Sequence, residues 1–137
     1  MRGIYVLVIS LGCSADVAVG KLGILRFEKG LYAYIGSAQV ALERRIERHL
    51  RKEKRVFWHI DCLLENPSAK ILKIFTKNSG RQDECNVAAK IWTRGEAVAG
   101  FGCSDCRCKS HLYHVNDYSF LKDNLKEYPI PNPSKSS

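Results

Sequence analysis

Leu31-Tyr32-Ala33-Tyr34-Ile35-Gly36-Ser37-Ala38-Gln39-Val40-Ala41-Leu42-Glu43-Arg44-Arg45-Ile46-Glu47-Arg48-His49-Leu50 changes its hydrophobic period halfway along, and that change decides the fold class. Leu31 to Ile35 is β-prone and closed by Gly36, so it reads as a strand. From Ala41 to about Lys54 the spacing becomes helical, with Leu42, Ile46 and Leu50 on one apolar stripe. At about 100° per residue, Arg45, His49 and Lys52 fall together at the edge of that stripe, where the helix meets a sheet. Arg44, Arg48 and Arg51 point away from it.

Upstream, residues 3–11 form a nearly continuous run rich in Val and Ile, fit for a buried strand. Residues 12–23 are small and Gly-containing, Ile24 to Phe27 is strand-like, and Glu28-Lys29-Gly30 is a turn, so an antiparallel, hairpin-rich sheet is expected. Downstream, the pattern predicts a helix over 57–65 stopped by Asn66-Pro67, and a strand over 69–76 alternating Ile71/Lys73/Phe75 with Leu72/Ile74. A helix is expected from Asp83 to Thr93, a loop over 95–102, a strand over 111–115 and a short helix over 117–128. The reading is therefore α+β: a small antiparallel β-sheet flanked by helices. Residues 1–128 are taken as one domain, and 129–137, with three prolines and three serines, as a disordered tail.

Composition narrows the function. Hydrophobic residues are 45% and charged residues 26%, as in ordinary globular proteins. No apolar run approaches the roughly 18–20 residues that span a bilayer. The basic, then apolar, start reads as a strand rather than a signal peptide, so a cytoplasmic protein with no membrane partner is expected. The net charge is +8, and residues 44–55 alone carry seven positive side chains against two glutamates. A one-sign cluster of this kind is the footprint of a phosphate-binding surface or of a solvated helix face. As a surface it comprises Arg44, Arg48, Arg51, Lys52, Lys54 and Arg55.

In the helix beginning at Asp83, Glu84 shares a face with Ala88 and Ile91. A carboxylate on the core side is costly without a positive partner. A bound cation supplies one; the helix dipole acting on a first-turn glutamate is the competing explanation.

Gly3-Ile4-Tyr5 opens the first strand, Tyr34-Ile35-Gly36 closes a later one, and a helix carrying Arg45 and His49 follows at once. In that order these motifs resemble the GIY-YIG nuclease superfamily, which includes intron-homing endonucleases and the 3′-incising nuclease of bacterial excision repair. The chain is similar in particular to the small stand-alone DUF123, or archaeal Uri-type, group. That likeness runs through Trp58-His59-Ile60-Asp61, Glu84-Cys85, Gly100-Phe101-Gly102, the segment from Cys103 to Cys108, and Ser110-His111-Leu112. It implies a metal-dependent endonuclease cutting phosphodiester bonds, in DNA more than RNA, with DNA repair as its setting. Tyr5, Tyr34, Arg45 and His49 would be catalytic, and Glu84 would hold the metal. A single carboxylate completed by waters and phosphate suits magnesium or manganese better than zinc.

Three departures stand out. The interval from Tyr5 to Tyr34 is long, implying an inserted hairpin or loop. The segment from Gly36 to Arg45 is one residue longer, making Arg44 a rival to Arg45. The superfamily's late asparagine has no secure match, Asn116 being the nearest. Whether Tyr5 or His49 is the base stays open: His49 has the easier pKa, the resemblance favours Tyr5.

Six cysteines without a secretion signal read as thiols or metal ligands rather than a disulfide framework. Cys103, Cys106, Cys108 and His111 have the ligand types of structural zinc (Zn2+), with Cys85 as a substitute, but crowd within nine residues. A compact turn of reduced thiols and a substrate-contacting loop are the other readings. His59 reads as a helix residue before a nucleic-acid contact. Against the endonuclease stands a non-catalytic nucleic-acid-binding or DNA-repair partner module on the same scaffold. The set Tyr5, Tyr34, Arg45 and Glu84 favours the enzyme, because binding alone does not need it.

Overall fold

A computed structural model describes residues 2–51, 56, 58–102 and 110–130. Its centre is a six-stranded antiparallel sheet, and the fold is α+β with helices on both faces. Strands β1 (Gly3–Leu11), β4 (Gly30–Ala38), β5 (Ala69–Lys77), β6 (Gly95–Ala97), β7 (Leu112–Val115) and β8 (Lys126–Tyr128) lie in the order β6-β7-β4-β1-β5-β8. Strands β2 (Ala15–Ala18) and β3 (Ile24–Phe27) form a separate two-stranded ribbon between β1 and β4, which accounts for the long interval from Tyr5 to Tyr34.

β1 is the central strand, and both its faces are covered. Tyr5, Leu7, Ile9 and Leu11 join Tyr32 and Tyr34 of β4 in one core. Leu42 and Ile46 of α1 (Leu42–Leu50) and Ile60, Leu63 and Leu64 of α2 (His59–Leu64) pack on that side. Ile4, Val6 and Val8 face the opposite way, with Ala33 and Ile35, onto Val87, Ala88 and Ile91 of α3 (Asp83–Trp92). A strand dry on both faces has no polar alternation to show, which is why 3–11 reads as one apolar run.

Two glycines are required by close approach. Gly3 sits at φ 146°, and a Cβ there would run into the Lys77 carbonyl oxygen of β5. Gly36 pairs with Tyr5 across the β1–β4 ladder, and a Cβ would lie 2.5 Å from both Cζ and Oη of the phenol.

The structure departs from the sequence reading in several places. The pairing of β1 with β5 shifts register between Val8 and Ile9, leaving Leu72 of β5 out of the ladder. That bulge puts Ile71 and Ile74 on the α1/α2 side, which strict alternation would have separated. Residues 95–102 are not wholly loop, since β6 pairs with β7. The helix expected over 117–128 is a 3-10 turn (Ser119–Asp123) followed by β8, because the open edge of β5 offers backbone partners at Ile74 to Thr76. Ile130, read as part of the tail, packs against the core. Ala41, the N-cap of α1, sits in the left-handed region (φ 51°, ψ 55°). Lys52, Lys54, Arg55, Cys103, Cys106 and Cys108 lie outside the described residues. Among those described, no helix is long and apolar enough to cross a membrane.

Candidate active site

Tyr5, Tyr34, Arg45 and Glu84 line one cleft of about 570 Å³, with Ser37, Gln39, Trp58, Arg81, Gly102 and His111. The sheet supplies the tyrosines. Tyr5 on β1 and Tyr34 on β4 project from the same face, ring centroids 6.5 Å apart. α1 crosses that face and lays Arg45 at the rim and His49 beneath. The Arg45 guanidinium donates to the Ser37 carbonyl at 3.2 Å and lies 4.5 Å from the Trp58 ring centroid.

His49 is 2% exposed and does not line the cleft; its Nε2 shares a 2.8 Å hydrogen bond with the Tyr5 hydroxyl, which does. The two rivals for the base are therefore coupled, the phenol in front and the imidazole behind. Burial pushes Tyr5 up to about 12, against the lowering pull of Arg45. Burial also drives Tyr34 well above its ordinary value, reinforced by Tyr5 and Glu84. Both phenols are neutral hydrogen-bonding groups at physiological pH.

Glu84 reaches the cleft from the other side of the sheet. α3 packs on the opposite face, and its first turn carries the carboxylate round the end of the strands. Burial alone would raise its pKa, but hydrogen bonds from His111 and Ser37 and the charges of His111 and Arg81 together hold it below the ordinary value. Its Oε1 lies 2.9 Å from His111 Nδ1. A carboxylate kept ionised at the end of a cleft is suited to hold one oxygen-preferring divalent ion, with waters and a phosphate completing the shell. Among the described residues no group of three or more His, Cys, Asp or Glu could hold a metal, so no closed protein cage forms there.

The remaining candidates separate. Arg44 and Arg51 are exposed, and Arg44 does not line the cleft, whereas Arg45 does. Arg48 does not point away from the core as expected. Its guanidinium makes two 3.0 Å bonds to the buried Asp61 carboxylate and lies 4.5 Å from the Trp58 ring centroid. Asp61 also accepts from the Trp58 backbone N–H at 2.9 Å, capping α2. Asn116 is exposed and does not line the cleft. His59 accepts the Gly102 N–H at 3.0 Å, fixing one wall of the cleft. His111 is turned toward Glu84, and Cys85 is disulfide-bonded, so it is neither a zinc thiolate nor the reduced thiol expected; Cys13 and Cys62 are free.

Sequence reasoning gave no role to Trp58, Arg81, Ser37 or Asp61, although Trp58 and Asp61 stand in a stretch that carries the resemblance. No periodicity singles out the first two, Ser37 carried a signal only as the neighbour of Gly36, and Asp61 reads as an ordinary first-turn helix acid.

No curated protein and no solved structure matches the chain. The model of the family described as "Domain of unknown function DUF123" matches residues 4–129, nearly the whole chain, and this protein belongs to the DUF123 family.

Proposed function

We propose that this protein is a cytoplasmic, metal-dependent endonuclease of GIY-YIG type that hydrolyses phosphodiester bonds in nucleic acid, with DNA the first substrate to test. One observation carries the reading: side chains from β1, β4, α1 and α3, far apart in sequence, converge on a single cleft. A fold needs no such meeting of two buried phenols, a guanidinium and an ionised carboxylate. The order of the GIY and YIG motifs and the basic helix add to it.

The chemistry follows from the placements. Arg45 offers a planar donor to a phosphate and offsets charge that builds on its oxygens. Tyr5 is too high in pKa to serve as a standing phenolate, so it takes the proton of the attacking water while passing its own to His49 Nε2. The new bond joins the water oxygen to phosphorus, and the bond to the leaving sugar oxygen breaks, that oxygen taking a proton from solvent. Tyr34 stays neutral and donates within the cleft. Glu84 would hold the magnesium or manganese, which would supply Lewis-acid stabilisation of the phosphate and the leaving oxygen.

The test is incubation of plasmid, branched and single-stranded DNA with magnesium or manganese, beside Glu84→Ala and Arg45→Ala. Cleavage is expected to vanish in the first and to fall by about 10²–10³-fold in the second. Cleavage unchanged in Glu84→Ala removes that carboxylate from the site. Binding without cleavage of any substrate favours the non-catalytic module instead.

A further inference from the structure

We propose that His111 is a positioning residue that fixes the Glu84 carboxylate for a divalent cation, a role that rests on the reading of Glu84 as the ion's ligand. The observation is a contact between two segments that the sequence keeps well apart. Glu84 arrives in the first turn of α3, whereas His111 immediately precedes β7. Their side chains, 13% and 5% exposed, meet at 2.9 Å between Oε1 and Nδ1.

His111 is held firmly enough to impose a geometry. Its backbone N–H donates to the Phe101 carbonyl at 2.8 Å, and its carbonyl accepts the Ile35 N–H of β4 at 2.9 Å. The residue is thus stitched to the strand that carries Tyr34 and to one wall of the cleft. Glu84, by contrast, has three rotatable bonds and sits at a helix end. A carboxylate on such a stem samples many orientations, and ordering it costs entropy at the moment an ion binds. With Nδ1–H donating to Oε1 and Ser37 also hydrogen-bonded to the carboxylate, that cost is met on folding, and the remaining lone pairs face the cleft for the cation. Carboxylate ligands are commonly oriented in this way by a hydrogen bond from a neighbouring group. The placement also gives His111 a use other than structural zinc, because the nitrogen it would offer is already directed at Glu84.

The experiment measures Mn2+ binding to the full chain by electron spin resonance, independently of cleavage, for His111→Ala, His111→Asn, His111→Gln and Glu84→Ala. The asparagine amide nitrogen stands close to where Nδ1 stands, whereas that of glutamine stands nearer to Nε2. His111→Ala is expected to weaken Mn2+ binding by about 10–100-fold. His111→Asn should restore most of the loss and His111→Gln little of it. Should the alanine variant fail to fold, the asparagine and glutamine pair carries the comparison. Parental affinity in His111→Ala, equal affinities in the Asn and Gln variants, or an imidazole nitrogen directly coupled to the ion would each overturn the positioning role. Parental affinity in Glu84→Ala is a different failure, because it removes the ion site itself.

Discussion

At Gly36 the absence of a side chain is what lets the Tyr5 phenol lie across the β1–β4 ladder and reach His49. Gly36→Ala would push a methyl into the phenol, whose ring is packed against His49 at 5.4 Å and has little freedom to retreat. Overpacking of this kind costs about 1–3 kcal/mol, so a lowered denaturation midpoint is expected together with a larger loss of cleavage than stability alone explains. A variant that melts early but cleaves normally when folded would show that the phenol's position is unimportant. Tyr5 also makes a pH prediction. Its folded pKa, about 12, lies above the unfolded value of 10.0, so its contribution to stability is full below pH 10 and lost as pH rises toward 12. Alkaline denaturation should therefore be less steep in Tyr5→Phe, and near-ultraviolet titration of that variant should lack one late-titrating phenol.

α1 shows what a single element can specify. Leu42, Ile46 and the half-buried Leu50 make the expected stripe, and Arg45 falls at its edge as the helical period requires, whereas His49, expected at the same edge, is buried within the core side of the helix. Arg48 departs because α2 brings Asp61, with no exposed side-chain area, within two hydrogen bonds of it. Arg48→Met removes the Arg48 counter-charge from that buried carboxylate. A loss of roughly 3 kcal/mol is expected by denaturant titration at unchanged slope, and adding Asp61→Leu should recover much of it. No loss in the single variant would mean that water already reaches Asp61. The last segment shows the opposite case. Residues 117–128 have a helical look, but the exposed edge of β5 captures Lys126 to Tyr128 as a strand, and edge pairing overrides local propensity.

Over the whole molecule, the proposed binding of nucleic acid would be governed by the positive charge. The affinity should fall linearly on a log–log plot against salt, and replacing exposed Arg44 or Arg51 by alanine should reduce the slope by about 1 each, with little dependence on sequence. Unchanged slopes would place the phosphate-binding surface elsewhere than on α1. Arg48, tied to Asp61, should behave differently and lower stability before it lowers the slope. The layering of the molecule also explains why Glu84 was only half legible. Its helical phase set it beside Ala88 and Ile91, but nothing in that phase says that the first turn of a helix on one face overhangs a cleft on the other.

The sequence alone determined what depends on near neighbours: the antiparallel α+β class, the apolar central strand, the face of α1 that carries Arg45 and His49, and the core-side placement of Glu84. These follow from periods of two and of about 3.6 residues, which need no knowledge of distant segments. Only the tertiary structure decided the Tyr5–His49 pair, the Glu84–His111 contact, the commitment of Arg48 to Asp61, the bulge at Leu72 and the conversion of the last segment to an edge strand. Each of these joins segments far apart in the chain, and such meetings are fixed by how the layers pack.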